Sequence, residues 1–178
     1  GFIDSIWVRQ WGTFTFFWRR LSSVDETALN IMRIGTGVAC VVMWIMGGVI
    51  LSPELYSDAD FIPYLHLLIT AAVLFRSTLA IAGIGILTLY AYAVYRYGIF
   101  HLLDYVLLLG QAAFLMLSAP PFYKRWGHLR FPLLYLGVIF SFLWSAIEKL
   151  AYPQWFYSLL EEHSFLAMGL DWDFFILA

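Results

Sequence analysis

Charged residues are scarce in this sequence. Only 12% of its 178 residues are Asp, Glu, Lys or Arg, whereas 62% are hydrophobic and 20% are aromatic. A soluble domain carries about 25% charged residues to cover its surface, so this composition excludes an ordinary soluble protein. The sequence therefore predicts an integral membrane protein. Its eight Trp residues predict aromatic belts at the membrane surfaces.

Cysteine is almost absent as well. Cys40 stands alone, which excludes an internal disulfide and any metal or iron–sulfur site built from several thiolates of this chain. It lies in an apolar run, where we expect a small buried side chain. The sequence also lacks a P-loop, a dinucleotide-binding glycine pattern and a His-Glu-x-x-His motif. These absences argue against a self-contained active site of the soluble-enzyme kind.

We expect no cleavable signal peptide, because charged residues interrupt the first 30 positions. Residues 1–22 instead place aromatic and aliphatic side chains at helical spacing. This pattern predicts an amphipathic helix that lies in the membrane plane, with a partner-docking helix as the alternative. The chain begins with Gly and ends on the short apolar run FFILA, so we expect it to belong to a longer chain.

Residues 23–119 predict a unit of four transmembrane helices. The predicted spans cover about residues 29–51, 61–75, 79–95 and 99–118. About 20 residues at 1.5 Å each cross a hydrocarbon layer of ~30 Å. The glycines of the first span, at 35, 37, 47 and 48, predict close helix contacts. A tight turn is expected at Arg76-Ser77-Thr78.

Residues 120–178 predict a basic loop, a fifth span and the start of a sixth. The loop covers 120–130, and the fifth span lies within Leu133–Leu160. Glu148-Lys149 lies at the far end of that span, before Pro153 and an aromatic collar formed by Trp155, Phe156 and Tyr157. An identical residue stands 100 positions after each of Gly37, Val38, Trp44 and Pro53. A second repeat of the four-helix unit is therefore one interpretation of this part of the chain.

The distribution of basic residues predicts the orientation. Eight of the ten lie on one side of the predicted membrane: Arg9, Arg19, Arg20, Arg33, Arg76, Lys124, Arg125 and Arg130. By the positive-inside rule that side is cytoplasmic, and so is the N-terminus. We expect a bacterial inner membrane. Lys124, Arg125 and Arg130 are the predicted anchors to lipid headgroups.

The candidate site residues lie at the outer ends of the predicted spans: His66, His101, Asp104, Glu148 and Lys149. Ionisable groups in a membrane are costly, so each needs an explanation. Glu148 and Lys149 form either an anchoring pair at the membrane edge or a proton acceptor and an orienting group for a quinone. His66 and His101 lie on different helices and are a candidate pair of haem ligands. His101 and Asp104 have no evident third ligand, so no metal site is predicted.

Two further polar residues have structural interpretations. Gln111, in mid-span, is expected to hydrogen-bond to another helix. Arg33 is expected to reach inner headgroups, or Asp25 or Glu26.

Several short motifs resemble the DoxX-like group of four-helix membrane proteins. They are Arg33-Ile34-Gly35 opening the first span, Phe75-Arg76-Ser77-Thr78-Leu79-Ala80 between the second and third, and His101-Leu102-Leu103-Asp104 opening the fourth. Glu148-Lys149-Leu150-x-x-Pro153 is similar to the family's ending of its first helix, whereas Gly48-Val49-Ile50 departs from that ending. The resemblance covers about residues 33–118 and supplies no catalytic residues.

The resemblance implies a small bundle associated with membrane redox complexes that oxidise quinol or thiosulfate. Few polar groups are available for an active site, so we expect a non-catalytic subunit with other membrane subunits and lipid, not nucleic acid, as partners. The alternative is a quinone- or haem-binding subunit that uses the outer polar residues. A small transporter is a third hypothesis, but the four predicted spans lack the paired broken helices or mid-membrane charge that it needs.

Overall fold

The structure is a computed structural model that describes residues 26–50, 55–56 and 59–151. This part of the chain is all-helical, as predicted, and its β-pairing is limited to an isolated bridge between Gly48 and Tyr56. The predicted interfacial helix at 1–22, the aromatic collar after Pro153 and the start of the sixth span lie outside the described residues.

Seven α-helices follow one another in the described residues: α1 (Glu26–Met46), α2 (Phe61–Ala72), α3 (Leu79–Tyr97), α4 (Ile99–Leu102), α5 (Leu107–Ser118), α6 (Pro120–Trp126) and α7 (Arg130–Ala151). Three 3₁₀ turns join neighbouring helices, at Arg76–Thr78, Leu103–Tyr105 and Gly127–Leu129. The first of them confirms the predicted tight turn between the second and third spans.

Three helical stretches are long and apolar enough to cross a membrane: Glu26–Met46, Arg76–Tyr97 and Pro120–Lys149. Ile99–Tyr105 and Leu107–Ser118 meet at a bend of 57° and would together make a fourth. The chain is therefore a helical membrane protein. Five or six spans were predicted, and the described residues provide three, or four with the bent pair.

The second predicted span is shorter than expected. Helix α2 has 12 residues, which rise about 18 Å and so cover little more than half of a ~30 Å hydrocarbon layer. The predicted first span also ends early, at Met46, because Gly47 turns the chain with φ +73°. Val49 and Ile50 then fold back into the bundle, where they are 1% and 3% exposed. Gly47 thus forms a turn instead of the predicted helix contact.

The predicted basic loop at 120–130 is wrong, because these residues are helical. Pro120 begins α6, and proline suits the first turn of a helix since its fixed φ is helical and it has no N–H to leave unpaired. The 3₁₀ turn at Gly127–Leu129 then leads into α7 at Arg130. The basic side chains are therefore held on short, ordered helical turns.

Helices α1, α2, α3 and α5 surround a common core, and glycines allow their backbones to approach. A Cβ atom added to Gly85 would lie 2.5 Å from Cγ1 of Ile69, and one added to Gly83 would clash with the Met116 side chain. Gly35 faces open space instead. Among the glycines of the first span, Gly37 packs against a neighbouring helix, with Val73 Cγ2 at 3.3 Å from an added Cβ.

Helix α7 packs mainly against α5 and contributes Phe131 to the edge of this core. A Cβ atom on Gly110 would lie 2.8 Å from the Leu133 carbonyl oxygen, and one on Gly137 would lie 3.1 Å from the Gly110 Cα. The two helices therefore cross backbone to backbone. The far face of α7 is exposed and apolar, with Phe142 74% exposed.

Candidate functional site

Asp104 and Glu148 are the two candidate residues that the structure brings together. Their carboxyl groups lie close enough to interact electrostatically, although 44 positions separate them in the sequence. Asp104 lies in the 3₁₀ turn between α4 and α5, and Glu148 lies near the end of α7. Both side chains are half-buried. Two carboxylate charges this close would repel each other, so the two groups form one interacting pair.

The break in the fourth predicted span creates the position of Asp104. A continuous helix was expected over 99–118, but the chain leaves the α-helical path at Leu103–Tyr105. Side chains of other helices satisfy backbone groups on either side of the break. The Tyr90 hydroxyl donates to the Leu102 carbonyl at 2.9 Å, and the Leu107 amide donates to Ser141 Oγ at 2.8 Å. A bend inside a membrane is stable when its backbone groups are paired in this way.

Two further residues belong to this region and were missed in the sequence. Gly137, Ser141, Trp144 and Glu148 recur every three or four positions, so they lie on one face of α7. Trp144 Nε1 and Asp104 Oδ1 are both buried without a hydrogen-bond partner among the described residues. The three- and four-residue spacing from Gly137 to Glu148 is the sequence pattern that could have identified Ser141 and Trp144.

His101 and Lys149 lie near the carboxyl pair along the chain. His101 is exposed on α4, three residues before Asp104. Lys149 is half-buried, and its position next to Glu148 turns it about 100° around α7. Adjacent residues on a helix do not face the same partner. The outer region therefore contains a carboxyl pair, an imidazole three residues before Asp104 and an ammonium group next to Glu148.

His66 lies in a different place, inside the four-helix core. Its side chain is 2% exposed, and Nε2 lies 3.3 Å from the Val49 carbonyl oxygen. A carbonyl only accepts hydrogen bonds, so in the neutral ring this contact assigns the proton to Nε2 and a lone pair to Nδ1. Nδ1 is buried and has no hydrogen-bond partner among the described residues.

His66 lines a central cavity of about 50 Å³ in the core. All four core helices and the α1–α2 connection contribute to its wall: Thr36, Ala39, Cys40, Met43, Val49, Ile50, His66, Ile86, Leu89, Leu108 and Gln111. Pockets for organic ligands measure about 300–1,000 Å³, so a haem or a quinone ring does not fit here. His101 does not line this cavity, and the two histidines therefore do not face a shared pocket in it.

The polar groups beside this cavity are connected to each other. Gln111 Nε2 donates to Thr36 Oγ1 at 2.7 Å, and the Thr36 hydroxyl donates to the Met32 carbonyl at 2.7 Å. The predicted hydrogen bond from Gln111 to another helix is confirmed. In the described residues, no group of three or more His, Cys, Asp or Glu side chains could hold a metal ion.

Arg33 lies about two turns into α1, away from the carboxyl pair. Its Nε donates to the Val73 carbonyl at 2.6 Å, and its other nitrogens bind the Leu74 carbonyl and Asn30 Oδ1. Arg33 therefore caps the carboxyl end of α2, where carbonyls lack helical partners. The expectation that it reaches Glu26 is wrong, because Glu26 pairs with Arg76.

The predicted headgroup anchors occupy different environments. Arg130 is 4% exposed, and its guanidinium lies 4.9 Å from the ring centre of Tyr123 and close to Phe114 and Phe131. Arg130 and Lys124 line a cleft of about 260 Å³ together with Arg76 and Glu26. Arg125 does not line this cleft and lies over the Trp126 ring instead.

Comparisons with models of known protein families, with curated proteins and with solved structures found no match to this chain.

Proposed function

We propose that this chain is a non-catalytic membrane subunit that packs within a larger redox or energy-converting complex through α7. The observation that carries the proposal is the exposed apolar face of α7 beside a groove of about 440 Å³ between α5 and α7. Leu136, Ile139 and Leu143 line this groove at helical spacing. A helix of another subunit fits such a groove, because membrane helices associate by close packing beside small residues.

Photo-cross-linking in native membranes tests this proposal. A photoreactive residue at Ile139 is expected to join this chain to a subunit of a quinol- or thiosulfate-oxidising complex. The matched control is Ile45 on α1, which is 71% exposed and does not line the groove between α5 and α7. Adducts with lipid alone at both positions, and purification in mild detergent as a lone monomer, would contradict the proposal.

The alternative function is that of a quinone-binding subunit, with the quinone ring at the carboxyl pair. It is favoured by the proximity of Asp104 and Glu148, because oxidation of a quinol needs an acceptor for its protons and a carboxylate is one. His101, three residues before Asp104, and Lys149, next to Glu148, would orient the polar head. This function does not use the central cavity.

Quinol oxidation by the complex separates the two functions. Under the alternative, Glu148→Gln and Asp104→Asn each abolish turnover, because an amide of the same shape cannot accept the proton. Under the leading proposal both variants retain wild-type turnover. An absorbance spectrum of the purified chain tests the haem version of the alternative, which requires haem bands that disappear in His101→Gln.

We also propose a bacterial inner-membrane location with a cytoplasmic N-terminus, supported by the distribution of basic residues and by the DoxX-like motifs. Thiol labelling tests the orientation in a Cys40→Ser background. A membrane-impermeant reagent applied to spheroplasts is expected to label Arg96→Cys but to label Lys124→Cys only after lysis. The reverse pattern would refute the orientation.

A further inference from the structure

The central cavity contains three side chains that are ligands for soft metal ions. Cys40 and Met43 lie three residues apart on α1 and therefore on one face of that helix, and His66 reaches the cavity from α2. Their exposures are 8%, 9% and 2%. The sequence contains no second cysteine, so a thiolate, a thioether and an imidazole in one small cavity form a mixed donor set.

The imidazole supplies an observation that is independent of the cysteine. His66 Nε2 donates its hydrogen bond to the Val49 carbonyl. This leaves the lone pair of Nδ1 buried and unpaired within the described residues. An unpaired buried acceptor is costly, so native structures leave few of them. A bound ion at Nδ1 would pair this acceptor.

We propose that Cys40, Met43 and His66 bind one Cu(I) ion in the central cavity. Thiolate and thioether sulfur are the ligands that Cu(I) prefers, and imidazole also suits copper. Binding forms a bond between copper and the Cys40 sulfur, and the thiol proton leaves to solvent, with no change of oxidation state. The cavity of about 50 Å³ admits a single ion.

The charge balance favours a monovalent ion. Cu(I) with one thiolate, one neutral imidazole and one thioether is electrically neutral overall. A divalent ion such as Zn(II) with the same ligands would leave one positive charge in a largely apolar core, where an uncompensated charge is expensive. This site goes beyond the proposed subunit function and does not rest on it.

Copper titration of the full chain in detergent micelles tests the site. Under reducing conditions and against a Cu(I) chelator, the wild-type chain is expected to bind one equivalent. Cys40→Ser, Met43→Leu and His66→Gln should each weaken binding by at least the roughly 10–100-fold that loss of an outer-shell partner costs. His66→Gln keeps an amide donor that can reach the Val49 carbonyl, so it removes the ligand and retains the anchor.

Two control variants and one spectrum make the test decisive. Met46→Leu and His101→Gln alter the same residue types outside the cavity and are expected to bind copper as the wild type does. X-ray absorption of the loaded wild-type chain should show both sulfur and nitrogen ligands, which decides the question even if a ligand variant fails to fold. The proposal is overturned if copper binds no tighter than to Cys40→Ser, if the spectrum lacks sulfur, or if Zn(II) binds more tightly than Cu(I).

Discussion

The Nε2 atom of His66 lies 3.3 Å from the carbonyl oxygen of Val49 and joins α2 to the non-helical chain that follows α1. Val49 and His66 are both almost completely buried. A backbone carbonyl at this depth has no water to bind, so it needs a donor from the protein. The histidine therefore explains how a chain segment without helical hydrogen bonds is accommodated inside the bundle.

Replacing His66 with Ala is expected to lower the free energy of unfolding by about 1–3 kcal/mol, because it leaves the Val49 carbonyl buried and unpaired. His66→Gln should lose less, since its amide can still donate to that carbonyl. Chemical or thermal unfolding in micelles measures both. Equal stability of the Ala variant and the wild type would show that this hydrogen bond does not anchor the segment.

The crossing of α5 and α7 should be sensitive to a single methyl group. Gly110→Ala and Gly137→Ala each place a Cβ within 2.8–3.1 Å of backbone atoms of the partner helix, which forces the helices apart at a cost of about 1–3 kcal/mol. Gly35→Ala is the control. Its Cβ meets nothing within 4 Å, and alanine favours a helix by about 1 kcal/mol over glycine.

Thermal unfolding compares the three glycine variants. If Gly35→Ala were as destabilising as Gly110→Ala, the effect would be general to helical glycines and not a consequence of the crossing.

The hydrogen bond from Gln111 to Thr36 should be measurable in a double-mutant cycle. Thr36→Val and Gln111→Leu each remove one partner with little change of volume. Hydrogen bonds between membrane helices contribute about 0.6 kcal/mol on average, and we expect a coupling free energy of about 0.5–1.5 kcal/mol here. Unfolding of the two single variants and the double variant gives this value. Strictly additive effects would exclude the bond.

The cleft lined by Arg76, Lys124 and Arg130 is predicted to hold the headgroup of an anionic lipid. Each basic residue near an anionic membrane contributes about 1 kcal/mol, so Lys124→Gln should weaken binding of an anionic lipid by about fivefold. Native mass spectrometry with phosphatidylglycerol and phosphatidylcholine measures the preference. Arg125→Gln removes an equal charge outside the cleft, and an equal loss in that variant would assign the effect to charge alone.

The helices could largely be predicted because long apolar runs end at recognisable turns. The predicted third span, about 79–95, matches α3 to within two residues at its end. The break at Leu103–Tyr105 could not be predicted in this way, because neither Gly nor Pro marks it. Two distant side chains, Tyr90 and Ser141, stabilise the break, and no local pattern reveals them.

The positions of the candidate site residues could also be predicted only in part. Their placement near the ends of spans follows from the apolar runs, but which of them meet depends on helix crossings. Asp104 meets Glu148 because Gly110 and Gly137 bring α5 and α7 together, whereas His66 is separated from them by its position in the core. The partners of Arg33 could not be predicted either, because they depend on where α2 ends.

The peripheral position of α7 affects the order of assembly. Helices α1, α2, α3 and α5 all precede α7 in the chain, and none of the residues that line the central cavity lies on α7. The amino-terminal helices can therefore close around the cavity before α7 has left the ribosome. Because α7 depends mainly on one interface, it should also open separately in the finished protein, with amide protons that exchange earlier than those of the core helices.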